Sequence, residues 1–208
     1  MLHKLQYISQ GKIPAEHMDN ILTVLDAGVK LIQLRLKKTD EKTYSHFGSL
    51  ANELCKKYNA QLIINDNPAV AKTCNSDALH LGLDDINVKE ARKIFTDKII
   101  GGTANTYEHI ELRCAEKVDY IGLGPFRFTT TKEKLSPVLG LAGYTAIIDQ
   151  MKKDNLYTPV YAIGGIELKD IEKIMDTGVY GIAVSGLLTQ SADKENLVKE
   201  INKILYHA

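Results

Sequence analysis

Two aspartates raise the first chemical question. Asp66 closes the apolar run Leu62-Ile63-Ile64-Asn65, and Asp85 follows His80-Leu81-Gly82-Leu83-Asp84. After Asp66 comes Asn67-Pro68, a helix cap and a first helical residue, so the local structure employs Asn67 and leaves Asp66 over. Asn87 stands three residues ahead of Glu90 and reads as the next cap, which leaves Asp85 over too. Two carboxylates at adjacent strand ends are the least a protein contributes to a Mg2+ site, because that ion keeps several waters and takes further oxygens from substrate phosphates. Loop aspartates are also common on plain surfaces, so the pair alone leaves both readings open. His80 reads as structural, since a cation that asks for carboxylate and phosphate oxygens does not favour imidazole.

Three further segments suit an anionic ligand. In Gln33-Leu34-Arg35-Leu36-Lys37 strand alternation places Gln33, Arg35 and Lys37 on one side, and Leu34 and Leu36 on the other. A solvated strand end would look the same. Gly124-Pro125-Phe126-Arg127-Phe128 leads into Thr129, Thr130, Thr131 and Lys132, three hydroxyls and an ammonium in one long loop. Such loops are more often functional than idle, and these groups are donors to phosphate oxygens. Gly164-Gly165 and Val184-Ser185-Gly186 follow two late apolar runs, where glycines let backbone N–H groups approach a phosphate or simply make tight turns.

These residues fall at the ends of short β-branched runs. Strands are expected at Leu5 to Ser9, Leu31 to Arg35, Gln61 to Asn65, Ala78 to Leu81, Lys98 to Gly101, Tyr120 to Gly122, Val160 to Ile163 and Gly181 to Val184. Between them, helical faces are expected from Ile21, Leu22, Val24 and Leu25, from Leu50, Leu54 and the stem of Lys57, and from Ile147, Ile148 and Met151. Gly28, Gly178, Asn75 and Lys117 each follow a helix and precede a strand, where a left-handed residue closes the helix. A strand recurring roughly every 26 residues, with no linker or composition shift, is the pattern of a (β/α)8 TIM barrel, here a single domain over residues 1–208. The rival, a doubly wound open sheet, calls for a dinucleotide fingerprint after the first strand, and Ser9-Gln10-Gly11-Lys12 holds none.

Composition sets the partners. With 26 basic and 26 acidic side chains among 208 residues, the chain has no basic field for nucleic acid and no polybasic patch for a membrane. No run approaches the roughly 18 apolar residues of a membrane span, and the first dozen residues carry charge where a signal peptide would be apolar, so a cytoplasmic protein is expected. Cys55, Cys74 and Cys114 are odd in number and lack ligand spacing, which fits small core residues in a reducing compartment. Barrels often pair, so a homodimer is one expected state, although no exposed apolar stripe is legible.

Taken in order, these segments resemble the thiamine phosphate synthase family over nearly the whole chain. Its pattern Q-L-R-x-K, N-D, H-L-G-x-x-D, G-P with T-x-T-K, and A-I-G-G-I appears as QLRLK, ND, HLGLDD, GPFRFTTTK and AIGGI. Single pieces are weak and the ordered set is specific. The resemblance implies a TIM barrel that joins a hydroxymethylpyrimidine diphosphate to a phosphorylated hydroxyethylthiazole, releasing diphosphate. By motif position, Gln33, Arg35, Lys37 and Asn65 would hold the pyrimidine diphosphate, and Asp66 and Asp85 would hold Mg2+. Thr103, Thr129, Thr130, Thr131 and Lys132 would line the junction, and Gly164 or Gly165, Val184 and Ser185 would bind the thiazole phosphate. Arg35, Lys37 and Lys132 would stabilise charge on the leaving group, with no protein nucleophile.

The chain departs from the family pattern at Leu36, usually an acid, at Leu83, Thr103 and Asn105, where Gln, Ser and His are common, and at Phe128, often Pro. The related thiazole tautomerases, which use a His after the fifth strand, are the nearest alternative; here Gly101-Gly102-Thr103-Ala104-Asn105 holds no His. A non-catalytic paralogue that binds a phosphorylated ligand is the alternative of another class.

Overall fold

Parallel strands cannot be joined by hairpins, so each strand in this chain is followed by a helical crossover that returns it to the same end of the sheet. The computed structural model describes residues 2–128 and 137–207. Its strands are β1 (Leu5–Ile8), β2 (Leu31–Leu34), β3 (Gln61–Asn65), β4 (Ala78–Leu81), β5 (Ile99–Ala104), β6 (Tyr120–Leu123), β7 (Val160–Ile163) and β8 (Gly181–Val184), paired in chain order with β8 closing onto β1. The helices are α1 (Pro14–Asp26), α2 (Glu41–Lys57), α3 (Pro68–Thr73), α4 (Val88–Ile94), α5 (Tyr107–Ala115), α6 (Gly140–Lys153), α7 (Ile171–Asp176), α8 (Gly186–Thr189) and α9 (Lys194–His207). This is the expected TIM barrel. Among the described residues no helix is long and apolar enough to cross a membrane.

Four strands have the expected bounds, β1 and β2 stop one residue early, and β6 runs one further. The fifth differs most: expected over Lys98 to Gly101, it spans Ile99–Ala104, starting one residue later and running three beyond Gly101. Gly101 and Gly102 stay in register with Tyr120 and Ile121. Their missing side chains serve packing, because a Cβ on Gly101 would overlap the Tyr120 ring and one on Gly102 would stand 2.6 Å from Arg113 Cδ.

Two helical faces also differ. In α1 the buried set is His17, Ile21, Val24 and Leu25, while Leu22, one residue past Ile21 and so rotated about 100° around the helix, is exposed. In α2 the buried face is Tyr44, Gly48, Ala51, Asn52 and Cys55, whereas Leu50 and Lys57 are exposed and Leu54 is half-buried. Small residues there bring α2 close to the end of α3: a Cβ on Gly48 would stand 3.2 Å from Cys74 Sγ. Ile147, Ile148 and Met151 are buried as expected. Gly28, Gly178, Asn75 and Lys117 all take positive φ at +99°, +93°, +50° and +58°, closing their helices as read. Burial pushes the Cys55 thiol up to about 12 and the Cys74 thiol up to about 11, so both are inert core groups.

Alternation along the strands splits the core in two. Residues such as Ile32, Leu34, Leu62, Ile64, Leu79 and Ile121 face the helices, while Leu31, Ile63, Ala78, Tyr120 and Tyr161 fill the barrel interior toward its amino end. Two tyrosines tie the helical shell to the opposite, carboxyl end. Tyr44 on α2 donates its hydroxyl to Leu34 O at 2.8 Å and accepts from Asn65 N at 3.2 Å, joining the ends of β2 and β3. Tyr144 on α6 donates to Leu123 O and accepts from Ile163 N at 3.2 Å, joining β6 and β7 in the same manner.

Candidate active site

The residues that continue the inward face of each strand end at the carboxyl mouth and form the floor of a cavity of about 1020 Å3. Gln6 and Ile8 come from β1, Gln33 from β2, Asn65 from β3, His80 from β4, Thr103 from β5, Gly122 from β6, Ile163 from β7 and Ala183 from β8. The floor is thus polar over β2 to β5 and small or apolar over β6 to β8. His80 is held at both ring nitrogens, by the Tyr120 hydroxyl at Nδ1 and Thr103 Oγ1 at Nε2, each at 3.0 Å. That suits the structural reading of His80, although its ring also faces the cavity.

Of the candidate residues, Gln33, Arg35, Lys37, Asn65, Thr103, Gly164, Gly165, Val184 and Ser185 line this one cavity. Thr129, Thr130, Thr131 and Lys132 lie outside the described residues. Asp66 and Asp85 stand beside the lining at the β2 to β4 side, where the Lys37 ammonium bonds the Asp66 carboxylate. Asp66 has φ +68°, a left-handed turn that a short polar side chain tolerates, and its N–H bonds His80 O at 2.8 Å. Neither carboxylate is as idle as the sequence reading held. Asp66 pairs with Lys37, and Asp85 accepts the Gly82 N–H at 2.6 Å, closing its own turn. Burial first, and then the neighbouring Asp66 carboxyl, pushes the Asp85 carboxyl up to about 6. Like-charged oxygens crowded at one point are a donor set for a hard divalent cation. Among the described residues there is no group of three or more His, Cys, Asp and Glu arranged for a metal.

The neighbouring helix caps form as read. Asn67 Oδ1 accepts Val70 N at 3.0 Å and Asn87 Oδ1 accepts Glu90 N at 2.9 Å. Glu90 itself turns away to bond Lys93.

Across the cavity, Gly164 and Gly165 take φ +99° and +67°. They are also where the β6 connection lies against the end of β7: a Cβ on Gly164 would stand 2.7 Å from Pro125 Cβ, and one on Gly165 2.9 Å from Arg127 Cβ. Phe126 N bonds Ile163 O at 2.8 Å and Arg127 N bonds Gly164 O at 2.9 Å, completing the seam. The Val184 side chain packs in the helix-facing core, so only its backbone is available to a ligand. Ser185 precedes the four-residue helix α8 and donates its hydroxyl to Gln10 Oε1 at 3.3 Å.

The sequence reading missed several lining residues. Arg127 bonds Gly165 O at 2.5 Å and Asp170 at 3.0 Å, pairs with Glu167 at 3.3 Å, and lies over the Phe126 ring. Ser9, Gln10, Lys12 and His17 bring the first connection into the wall. Ser9-Gln10-Gly11-Lys12 holds no dinucleotide motif, and its position after a barrel strand is the signal that marks it as cavity wall. Lys12 and Arg35 line the wall beside Lys37 and Arg127, of which Lys37 is paired with Asp66 and Arg127 with Glu167 and Asp170.

The fold is a (β/α)8 barrel with a cavity at the carboxyl mouth of its strands. Residues 5–188 match the thiamine monophosphate synthase family, and the chain belongs to that family. It is 53% identical over 206 residues to the thiamine-phosphate synthase of Flavobacterium psychrophilum, covering 99% of this chain and 100% of the relative. To the corresponding protein of Phocaeicola vulgatus it is 44% identical over 199 residues, 95% and 96% of the two chains. The solved thiamine phosphate pyrophosphorylase of Pyrococcus furiosus superposes with a TM-score of 0.84 at 26% identity, over 98% of this chain and 96% of that one.

Proposed function

We propose that this transferase joins a hydroxymethylpyrimidine diphosphate to a phosphorylated hydroxyethylthiazole, giving thiamine phosphate and diphosphate, with Mg2+ as its metal. The observation that carries this reading is a single cavity with two ends suited to phosphate. Arg35, Lys37 and the carboxylate pair stand at the β2 to β4 side, and the Gly164-Gly165 and Ser185 turns stand across from them.

The Asp66 and Asp85 oxygens would hold the ion, which when bound would neutralise charge growing on the departing diphosphate. The remaining work falls to the chain's own groups. Gln33 and Asn65 orient the pyrimidine, while Arg35 and Lys37 receive the diphosphate oxygens. The bond between the pyrimidine methylene and the diphosphate breaks with its electron pair leaving on oxygen, and the thiazole nitrogen donates its pair to the electron-poor carbon. No protein nucleophile takes part. Thr103, Thr129, Thr130, Thr131 and Lys132 would line the junction, with Lys132 acting on the leaving charge, and Gly164, Gly165, Ser185 and the Val184 backbone would seat the thiazole phosphate. Holding both substrates in one cavity supplies the orientation. We further propose a cytoplasmic enzyme whose pairing into a homodimer is open to sedimentation.

Incubation of the purified chain with both substrates, with and without Mg2+, tests the reading. Metal-dependent release of diphosphate with formation of thiamine phosphate is the expected result. Isomerisation of the thiazole alone would point to a tautomerase, and ligand binding without turnover to a silent paralogue. Against the tautomerase, the segment Gly101-Gly102-Thr103-Ala104-Asn105 holds no His, and Asn105 is buried with its amide bonded to Gly124 O.

A further inference from the structure

The first βα connection holds a serine and a histidine that the proposed chemistry leaves unused. Ser9 and His17 are both buried, both line the cavity, and meet at 2.7 Å through Oγ and Nδ1. By residue type such a pair could activate a nucleophile. The surrounding bonds assign it differently. His17 Nε2 lies 3.1 Å from the Gly11 carbonyl oxygen. A carbonyl only accepts, so Nε2 carries the hydrogen and Nδ1 is the bare nitrogen. Nδ1 therefore takes the Ser9 hydroxyl proton, and Ser9 Oγ is left to accept the Arg35 N–H at 3.0 Å. The Ser9 N–H meanwhile bonds Gln33 O at 2.9 Å, so Ser9 grips the β2 end on both sides of Leu34. Gly11 clears the space, since a Cβ there would stand 2.8 Å from His17 Cδ2. Burial, reinforced by the Arg35 charge, lowers the His17 pKa and keeps the ring neutral in this arrangement.

We infer that Ser9 and His17 are positioning residues for Arg35. His17 fixes the rotor of Ser9, and Ser9 fixes the point at which the chain leaves β2, from which Arg35 and Lys37 reach their ligand. The inference rests on the reading of Arg35 as a diphosphate contact.

Calorimetric titration of inorganic diphosphate with Mg2+, together with KM for each substrate, tests it on wild type, Arg35→Ala, Ser9→Ala, Ser9→Thr, His17→Ala and the Ser9→Ala/His17→Ala double variant. Loss of one oriented hydrogen bond should weaken diphosphate binding and raise the pyrimidine diphosphate KM by about tenfold in each alanine variant. The thiazole phosphate KM should stay within about twofold of wild type, and Ser9→Thr should restore binding by keeping the hydroxyl. Because one chain of bonds is broken in every case, the double variant should be no worse than the weaker single. Multiplying single effects, or equal shifts in both KM values, would overturn the inference. Should His17→Ala melt below assay temperature, Ser9→Ala against Ser9→Thr carries the same decision. Equal diphosphate binding by wild type and Arg35→Ala would instead overturn the reading of the site.

Discussion

The Asp85 carboxyl stands close enough to that of Asp66 to be perturbed by its charge, although the two residues follow different strands, β4 and β3. Burial and this like-charged neighbour raise the Asp85 pKa to about 6, so between its unfolded value and 6 the folded chain holds more protons than the unfolded one. Stability therefore falls as pH rises through that window. In metal-free protein at pH 8, Asp85→Asn should be the more stable form, by on the order of 1 kcal/mol once solvent screening at this half-exposed site is allowed for, or about 2–4 °C in Tm. The gap should narrow at pH 5. Mg2+ should raise the Tm of wild type and leave that of the variant unchanged. Thermal melts at both pH values check this, and a variant melting below wild type at pH 8 contradicts it.

Lys132 carries a second prediction, drawn from its place in the T-x-T-K pattern. If its ammonium meets charge that develops as diphosphate departs, its removal acts on the transition state and not on ground-state binding. Lys132→Ala should lower kcat by about 10²-fold to 10³-fold with a smaller change in the thiazole phosphate KM. Steady-state kinetics with each substrate varied in turn decides it: an unchanged kcat discards the role.

The parts of this architecture legible in the sequence are those set by local pattern. β3 and β4 carry apolar residues on both faces, Leu62, Ile63 and Ile64 in one and Ala78, Leu79 and Leu81 in the other, because both faces of a barrel strand are buried. Asn75 and Lys117 could be read as helix ends because the same offset recurs with glycine at Gly28 and Gly178. The glycine pair Gly101-Gly102 misled, since glycine for a turn and glycine for the Tyr120 ring look alike in a sequence. The Arg127 bond to Asp170, 43 residues away, and the Ser9 bond to Arg35, 26 residues away, depend on which loops the closed barrel sets side by side. Asp66 and Asp85 were legible as candidates, but the Lys37 and Gly82 bonds that aim them were not.

Tyr44 gives a prediction about the scaffold. Its hydroxyl is the shared partner of Leu34 O and Asn65 N, one residue short of Arg35 and Asp66 respectively, and burial pushes its pKa up, so it stays a phenol. Tyr44→Phe keeps the ring and leaves two buried backbone groups without their partner. The expected cost is about 1–3 kcal/mol of stability, with diphosphate affinity falling more than thiazole phosphate affinity. Chemical denaturation together with the two binding titrations measures it. A variant as stable as wild type would show that water replaces the hydroxyl at that seam.

The buried imidazole of His17 should also mark the acid side of the stability profile. Burial lowers its pKa, the Arg35 charge adds to the effect, and the Gly11 carbonyl and Glu16 oppose it. The unfolded chain, with an ordinary histidine near 6.5, therefore binds more protons than the folded one below that value. The His17 contribution is complete above pH 6.5 and is lost as pH falls toward the lowered folded pKa. His3 shifts in the same direction through burial and Lys30, and Asp85 in the opposite one, so wild type alone does not isolate His17. Comparison with His17→Gln does, because the amide can donate to Gly11 O and accept from Ser9 yet cannot titrate. The drop in Tm between pH 7.5 and 5.5 should be smaller in His17→Gln than in wild type. Parallel profiles would mean that the imidazole protonates as readily folded as unfolded, which its hydrogen bonds to Ser9 and Gly11 do not permit.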